Sequence, residues 1–370
     1  MIAIIIDHPA RDLPPNILLA EELIKNKLTN KVIFVPLYYA KANLVLLEKY
    51  YNYLVLNYAR SQNRELIYHL KKKFNKILIV NDTEQANTSS GKALSSKWKE
   101  DYKFLELIDL YLFWGKKQFN DCKKSVSKKF HPKKMTVTGW FNIDYIKKFK
   151  GLRNKNKKPE ILINTNFPTI YPKFGDWRDV LNDTKNKKLY RQWHKSKNST
   201  HKNLYFFLKN LFTKYPKERF RIRPHPFEDP QIWEKLSNDF ANCSIDKNLN
   251  VLKSIDETKL LLHIDCTTGL EATLKNKPSI SLKFLLSNKK HYQPMSDYYG
   301  YQAHSKNEFY KNFDYFVKFN KNKKFYTLKK KYIRNIYGPL DNKNCFRISK
   351  SIEKEITLTL KRNIINKISL

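Results

Sequence analysis

Short apolar runs alternate with helix-patterned stretches along most of the chain, and this alternation admits few architectures. In the first half "IAIII" (2–6) precedes "NILLAEELIKNKL" (16–28), whose apolar residues recur at intervals of three and four. Then follow "KVIFVPL" (31–37), a helical "ELIYHLKKKF" (65–74), "KILIV" (76–80), "LIDLYLFWG" (107–115) and "KMTVTGW" (134–140). Apolar runs of this length between amphipathic helices predict parallel strands buried on both faces, joined by crossover helices. A basic, glycine-containing stretch, "KKFKGLRNKNKKPE" (147–160), interrupts the pattern and reads as a linker. The alternation then restarts with "ILINTNF" (161–167), a helix through "NLYFFLKNLFTKY" (203–215), "RFRIRPHP" (219–226), "QIWEKLSNDF" (231–240), "TKLLLHID" (258–265), "GLEATLKNK" (269–277) and "SISLKF" (279–284). The expected fold is α/β: two Rossmann-like, doubly wound domains over 1–150 and 160–330, a linker at 151–159 and a C-terminal helical segment at 331–370.

Composition narrows the partners more than the activity. With 41% hydrophobic and 14% aromatic residues, 370 residues suffice for two packed cores. The formal net charge of +38, from 72 Lys+Arg against 34 Asp+Glu, suits nucleic acid, an anionic membrane surface or phosphorylated small molecules. The lysines are spread along the whole chain with Asn, Ile and Tyr, which a bias in the coding DNA would also produce. Cys122, Cys243, Cys266 and Cys345 show no C-x-x-C spacing, as in a reduced, cytoplasmic protein. The N-terminal run reads as a first strand, since no basic region precedes it and no cleavage site follows. No apolar stretch approaches the roughly 18 residues that span a bilayer. The chain contains no G-x-G-x-x-G, Walker loop, G-x-S-x-G or H-E-x-x-H.

Two segments concentrate the residues that suit an anion. Ligands of open parallel sheets bind beyond the carboxyl ends of strands, and both "RIRPHPFEDPQIW" (221–233) and "LLLHIDCTTGLEATLKNKPSISL" (260–282) deliver polar residues there. Thr267, Thr268 and Gly269 stand at a strand-to-helix junction, where hydroxyls, backbone N–H groups and a glycine suit a phosphate; an ordinary N-cap would use the same residues. His225 lies between Pro224 and Pro226, which fix the chain's direction and hold the imidazole at a loop tip, where it either meets a ligand or merely packs. Arg221 and Arg223 alternate on the preceding strand and face one side.

Together these segments resemble the C-terminal half of a family of bacterial surface-carbohydrate (capsule and lipopolysaccharide) biosynthesis proteins. That family is related to transferases using cytidine-nucleotide donors, among them capsule sialyl- and 3-deoxy-octulosonate transferases and the teichoic-acid CDP-glycerol glycerophosphotransferases. In such enzymes a His-Pro motif and a Ser/Thr motif hold the donor's cytidine phosphate; His225-Pro226 matches the first and Thr267-Thr268 the second. "RDLPPNILLAEEL" (11–23), "LYLFWGKKQFND" (110–121), "VTGWFNIDYI" (137–146) and "ILINTNF" are similar to further family segments in the same order. "TGWFNID" lacks the family's Asn-Pro-Arg, so only Asp144 carries over there.

The resemblance implies a GT-B-like glycosyltransferase, with an acceptor-binding N-terminal domain and a donor-binding C-terminal domain. An acceptor hydroxyl would attack the anomeric carbon of a CMP- or CDP-activated sugar. A carboxylate would serve as base or nucleophile, and "ILIVNDTEQ" (77–85) supplies Asp82 and Glu84, although Thr83 and Gln85 break the family's acidic cluster. No D-x-D is present, so transfer is expected to be metal-independent and to need no cofactor beyond the nucleotide-sugar donor. His225, Arg223 and the helix start near Thr268 would stabilise the leaving phosphate, and Glu271 would accept from the ribose hydroxyls or simply favour the helix dipole. Trp98, Trp114 and Trp140 could stack on sugar, but core packing accounts for most such aromatics. The acceptor would be a glycan or a lipid-linked chain at the inner face of the cytoplasmic membrane. A non-catalytic sugar-nucleotide or glycan-binding relative, and a basic nucleic-acid-binding protein without a recognised motif, are the alternatives.

Overall fold

The computed structural model describes residues 1–59, 63–83, 106–125, 134–151, 160–178, 187–264, 266–288, 298–318 and 330–368. Glu84, Trp98, Asp265 and most of the expected linker lie outside them. The chain forms two compact units, Met1–Lys148 with Lys330–Leu370, and Phe149–Lys329.

The first unit is built on a six-stranded parallel sheet, ordered β2-β1-β3-β4-β5-β6. Its strands are β1 (Ile2–Ile6), β2 (Val32–Pro36), β3 (Tyr53–Leu56), β4 (Ile77–Asn81), β5 (Leu110–Phe113) and β6 (Met135–Val137). Every residue of β1 is buried, because it sits inside the sheet with helices on both faces. The helices are α1 (Pro9–Lys25), α2 (Leu37–Ala42), α3 (Leu44–Tyr50), α4 (Arg64–Tyr68), α5 (Lys116–Ser125) and α6 (Asn142–Lys148). Ala3, Ile5, Leu54, Leu56, Leu78, Val80, Tyr111 and Phe113 pack against Leu37, Leu66 and Leu70 on one face. Strand alternation turns Ile2, Ile4, Val55 and Ile79 to the other.

Helix α1 begins earlier than its apolar periodicity suggests, despite Pro14 and Pro15. Pro9 occupies the first helical position, which needs no N–H, and a reciprocal cap closes the end. His8 Nδ1 accepts from the Arg11 N–H at 3.2 Å, while Asp12 Oδ2 accepts from the His8 N–H at 3.0 Å.

The second unit carries β7 (Glu160–Asn164), α7 (Lys187–Lys214), β8 (Phe220–Arg223), α8 (Gln231–Asn238), β9 (Cys243–Ile245), α9 (Val251–Glu257), β10 (Thr258–His263), α10 (Thr268–Leu274), β11 (Ser279–Leu282), β12 (Tyr301–Ala303) and α11 (Lys306–Lys318). Its six parallel strands run β12-β11-β10-β7-β8-β9. Ile161, Ile163, Leu260, Leu262 and Ile222 pack against Leu204, Leu208 and Leu211 of α7 and against Phe309 and Phe313 of α11.

The last two helices, α12 (Lys330–Tyr337) and α13 (Asn344–Ile368), belong to the first unit. Asp144, carried over from the resemblance, is here a structural pin: its buried Oδ2 accepts the Cys345 N–H at 2.8 Å at the start of α13. Burial pushes its carboxyl up, against the hydrogen bonds from the α13 end. Gly139, at φ +97°, and Gly338, at φ +81°, meet backbone to backbone, and a Cβ on Gly338 would come 2.5 Å from the Gly139 Cα. Trp114, Trp140 and Tyr337 pack beside them with ring centroids 5.0 to 5.8 Å apart, and all three are buried. These tryptophans are core.

Candidate functional site

The strand order of each unit reverses once. In the second unit the chain runs β7-β8-β9 to one side, then returns to place β10 on the other side of β7. The connections leaving β7 and β10 therefore diverge and open a crevice at their carboxyl ends, the switch point where such sheets bind ligands. The His225 loop follows β8 and the Thr267-Thr268 segment follows β10, so both stand on this edge, one strand to either side of β7. Two strand spacings separate them, roughly 10 Å.

The loop after β8 is held by one carboxylate. Glu228 Oε2 accepts from the Thr165 hydroxyl at 2.7 Å, the Phe167 N–H at 3.1 Å and the His225 N–H at 3.2 Å, and Oε1 accepts from the Trp233 indole at 2.7 Å. Burial pushes this carboxyl up, and these four donors oppose the shift. Backbone bonds from Lys173 N–H to Phe227 and from Asp229 N–H to Tyr171 strap the loop to the segment after β7. Glu228 lies within the "RPHPFED" stretch that drew attention to His225, yet its role was not read from it. An acid three residues after a proline-braced histidine and five before a tryptophan was the available signal.

His225 is half-buried. Its Nδ1 accepts the Phe227 N–H at 3.2 Å, which assigns the neutral ring's proton to Nε2. The imidazole is thereby set to donate from Nε2, as a phosphate oxygen requires. Pro226 beside it is exposed.

The arginines serve the scaffold. Arg221 meets Glu257 at 2.7 Å and Glu160 at 3.2 Å. Arg223 meets Asp246 at 2.7 Å and donates to the Leu249 carbonyl at 3.1 Å. Burial raises Asp246, but the Ser254 hydrogen bond and both guanidiniums outweigh it and hold the carboxyl below its usual range. The hydrogen bonds of Arg223 thus order the turn after β9, where a phosphate contact had been expected of it.

Helix α10 has two turns, and the N–H groups of Gly269, Leu270 and Glu271 already bond to the carbonyls of Cys266 and Thr267. Its anion-binding capacity rests on hydroxyls. Thr267 is exposed and its side chain does not cap the helix, while Thr268 Oγ1 is buried without a hydrogen-bond partner. The reason for Gly269 also differs from the expected one. A Cβ there would collide with the His263 imidazole and lie 2.8 Å from the Tyr299 ring, so the glycine lets α10 close onto β10. Burial, reinforced by the charge of Lys283, drives the His263 ring down to about 3, so it is neutral.

No protein-family model matches the chain, and no curated protein is significantly similar to it in sequence. Solved structures are similar in fold. A Staphylococcus aureus MnaA–UDP complex superposes with a TM-score of 0.60 at 12% identity, over 96% of this chain and 97% of that one. The UDP-GlcNAc 2-epimerase of Methanocaldococcus jannaschii, in complex with UDP-GlcNAc and UDP, gives 0.60 at 12%, over 95% and 99%. The wall teichoic acid polymerase TagF, as the H444N variant with CDPG, gives 0.58 at 13%, over 97% and 89%. The fold is GT-B. At these identities the comparison establishes architecture alone.

Glu271 adds a titrating group to the edge. The residue is partly exposed, but its Oε2 is out of solvent and lacks a hydrogen-bond partner. Burial pushes the carboxyl up to about 7, with the Arg223 charge pulling it back. The folded protein thus keeps a proton that the unfolded chain releases near 4.5. Stability from this group is undiminished below pH 4.5 and falls as the pH rises towards 7. The wild type is expected to lose about 1–3 kcal/mol across this window relative to Glu271→Gln, measured by urea unfolding at successive pH values. Parallel curves for the two proteins would contradict this.

The first unit has its own switch point, between β1 and β3. Asn57 and Asn81 follow and end neighbouring strands and are buried, and none of their side-chain amide atoms has a hydrogen-bond partner. Arg11 bridges the start of α1 to Thr83 at 3.4 Å. Asp82 stands here too, but its carboxylate is buried and accepts the Tyr111 hydroxyl at 3.1 Å. Among the described residues no three of His, Cys, Asp and Glu converge as metal ligands.

Proposed function

We propose that this protein is a glycosyltransferase of surface-polysaccharide biosynthesis, moving a sugar from a CMP- or CDP-activated donor to a glycan or lipid-linked acceptor. The observation that carries the reading is the pairing, on one carboxyl edge, of a proline-braced imidazole set to donate with an unpartnered threonine hydroxyl across β7. That pairing suits a phosphate group, and the nearby Glu271 suits ribose hydroxyls. The TagF structure with CDPG supports the cytidine choice, and the motif resemblance points the same way.

In the reaction the acceptor hydroxyl attacks the anomeric carbon and loses its proton to a base, while the bond to the donor phosphate breaks. His225 donates to the departing phosphate, and Thr267 and Thr268 solvate its oxygens. Pro226 and Gly269 contribute backbone shape. The base comes from the acids after β4. Glu84 is preferred over Asp82, whose carboxylate is turned to Tyr111. Transfer is taken to be metal-independent on the sequence, which contains no D-x-D.

A second reading, a UDP-sugar enzyme, is favoured by the UDP in the MnaA complex and in the Methanocaldococcus jannaschii UDP-GlcNAc 2-epimerase complex. Thermal melting with CMP, CDP, UDP and GDP decides between them. The cytidine nucleotide is expected to raise Tm by roughly 5–10 °C at about a hundred times its Kd. A shift confined to UDP would transfer the assignment to uridine, and no shift with any nucleotide would remove the donor site altogether.

A further inference from the structure

Helix α7 is 28 residues long and contains no acidic residue. Thr200, His201, Leu204, Phe207, Leu208, Leu211 and Phe212 form its buried side. At 100° per residue, Lys188, Arg191, Lys195, Lys202, Phe206 and Lys209 fall within one narrow arc opposite to it. Five of the six are exposed, Lys209 partly so, and Phe206 is 64% exposed. The five cations extend over about 32 Å of straight helix, with one aromatic ring standing among them.

We infer that this stripe of α7 is a docking surface for an anionic lipid bilayer. The cations complement acidic headgroups, and a flat surface can meet all five at once. An exposed Phe gains free energy in the headgroup layer, where aromatic side chains partition. Nucleic acid fits less well. Duplex phosphates wind away from a straight row of charges, and a protruding phenyl ring offers a phosphate backbone nothing.

The inference deepens the proposed function by placing the membrane that holds a lipid-linked acceptor against α7. Its test reads binding and not turnover, so it stands or falls apart from the donor assignment. Co-sedimentation is measured with phosphatidylcholine vesicles, with and without phosphatidylglycerol, in low and high salt. The wild type is expected to bind only the phosphatidylglycerol vesicles and to be released by salt. Reversing Lys188, Arg191, Lys195 and Lys202 to Glu weakens binding about a hundredfold or more. Reversing Lys72, Lys73, Lys123 and Lys124, exposed cations of the first unit, changes net charge equally and leaves binding within about threefold. Phe206→Ser weakens binding several-fold without altering its salt dependence. Equal loss in both charge-reversal sets, unchanged binding in the α7 set, or displacement of the α7 face from vesicles by duplex DNA each overturns the inference. Should the Glu set unfold, the corresponding Gln set gives the same comparison.

Discussion

Glu228→Ala is expected to destabilise the protein by about 3–5 kcal/mol and to lower Tm by about 10 °C or more, because it strands four donors at once, three of them in buried hydrogen bonds. The Trp233 indole, the Thr165 hydroxyl, the Phe167 N–H and the His225 N–H all end on this carboxylate. Only the Thr165 hydroxyl can rotate towards another acceptor. Glu228→Gln separates charge from shape. If its carbonyl takes the three donors on the Oε2 side, its NH₂ group faces the Trp233 N–H donor to donor. The amide therefore recovers part of the stability and not all of it. Thermal melting of both variants, with nucleotide affinity measured well below Tm, checks the argument. Loss of the brace frees the His225 backbone, so affinity falls even where the protein remains folded. A Glu228→Ala protein as stable as wild type would show that the loop is held by its prolines and the 171–173 strap alone.

The sheets were legible in the sequence where burial on both faces leaves continuous apolar runs, as in β1, β4, β5, β7 and β10. The three strands that escaped notice differ physically. Strands β9 and β12 are three-residue edges with partly exposed side chains, and such strands leave no apolar run to detect. Strand β3 is buried but sits within "YNYLVLNY", directly after a helix-patterned stretch, where periodicity over four residues cannot separate strand from helix. The return of the C-terminal helices to the first unit was equally invisible. It rests on contacts such as Arg347 to the Thr138 carbonyl and Ser349 to Glu22, made between residues more than two hundred apart in sequence.

The arginines and the glycine show what a local pattern leaves out. That Arg221 and Arg223 share a face follows from strand alternation. That the face is occupied by Asp246, Glu160 and Glu257 depends on which strands and turns the crossovers bring beside β8, which no local pattern encodes. Gly269 invites a phosphate in sequence, yet its missing side chain is accounted for by His263 and Tyr299. Asn57 follows an unrecognised strand, so the buried amides beside the first switch point could not be anticipated either.

His225→Ala is expected to lower turnover by about 10²–10⁴-fold while changing stability by about 1 kcal/mol or less, since the ring is half-buried and its Nδ1 accepts from a neighbouring backbone N–H. The Nε2 proton distinguishes two ways in which the ring could matter. If it only holds the nucleotide, the variant loses affinity for product nucleotide and for donor alike, and the rate at saturating donor is little changed. If it donates to the phosphate as the glycosidic bond breaks, the loss lies in the rate at saturation. That loss then shrinks for a donor whose leaving phosphate is more acidic and needs less help to depart. His225→Gln can present an amide donor at a similar reach and is expected to recover a part of the rate with no change in Tm. Single-turnover rates for the three proteins with two donors of different leaving-group acidity make the comparison. Turnover within about threefold of wild type in His225→Ala would remove the imidazole from the chemistry.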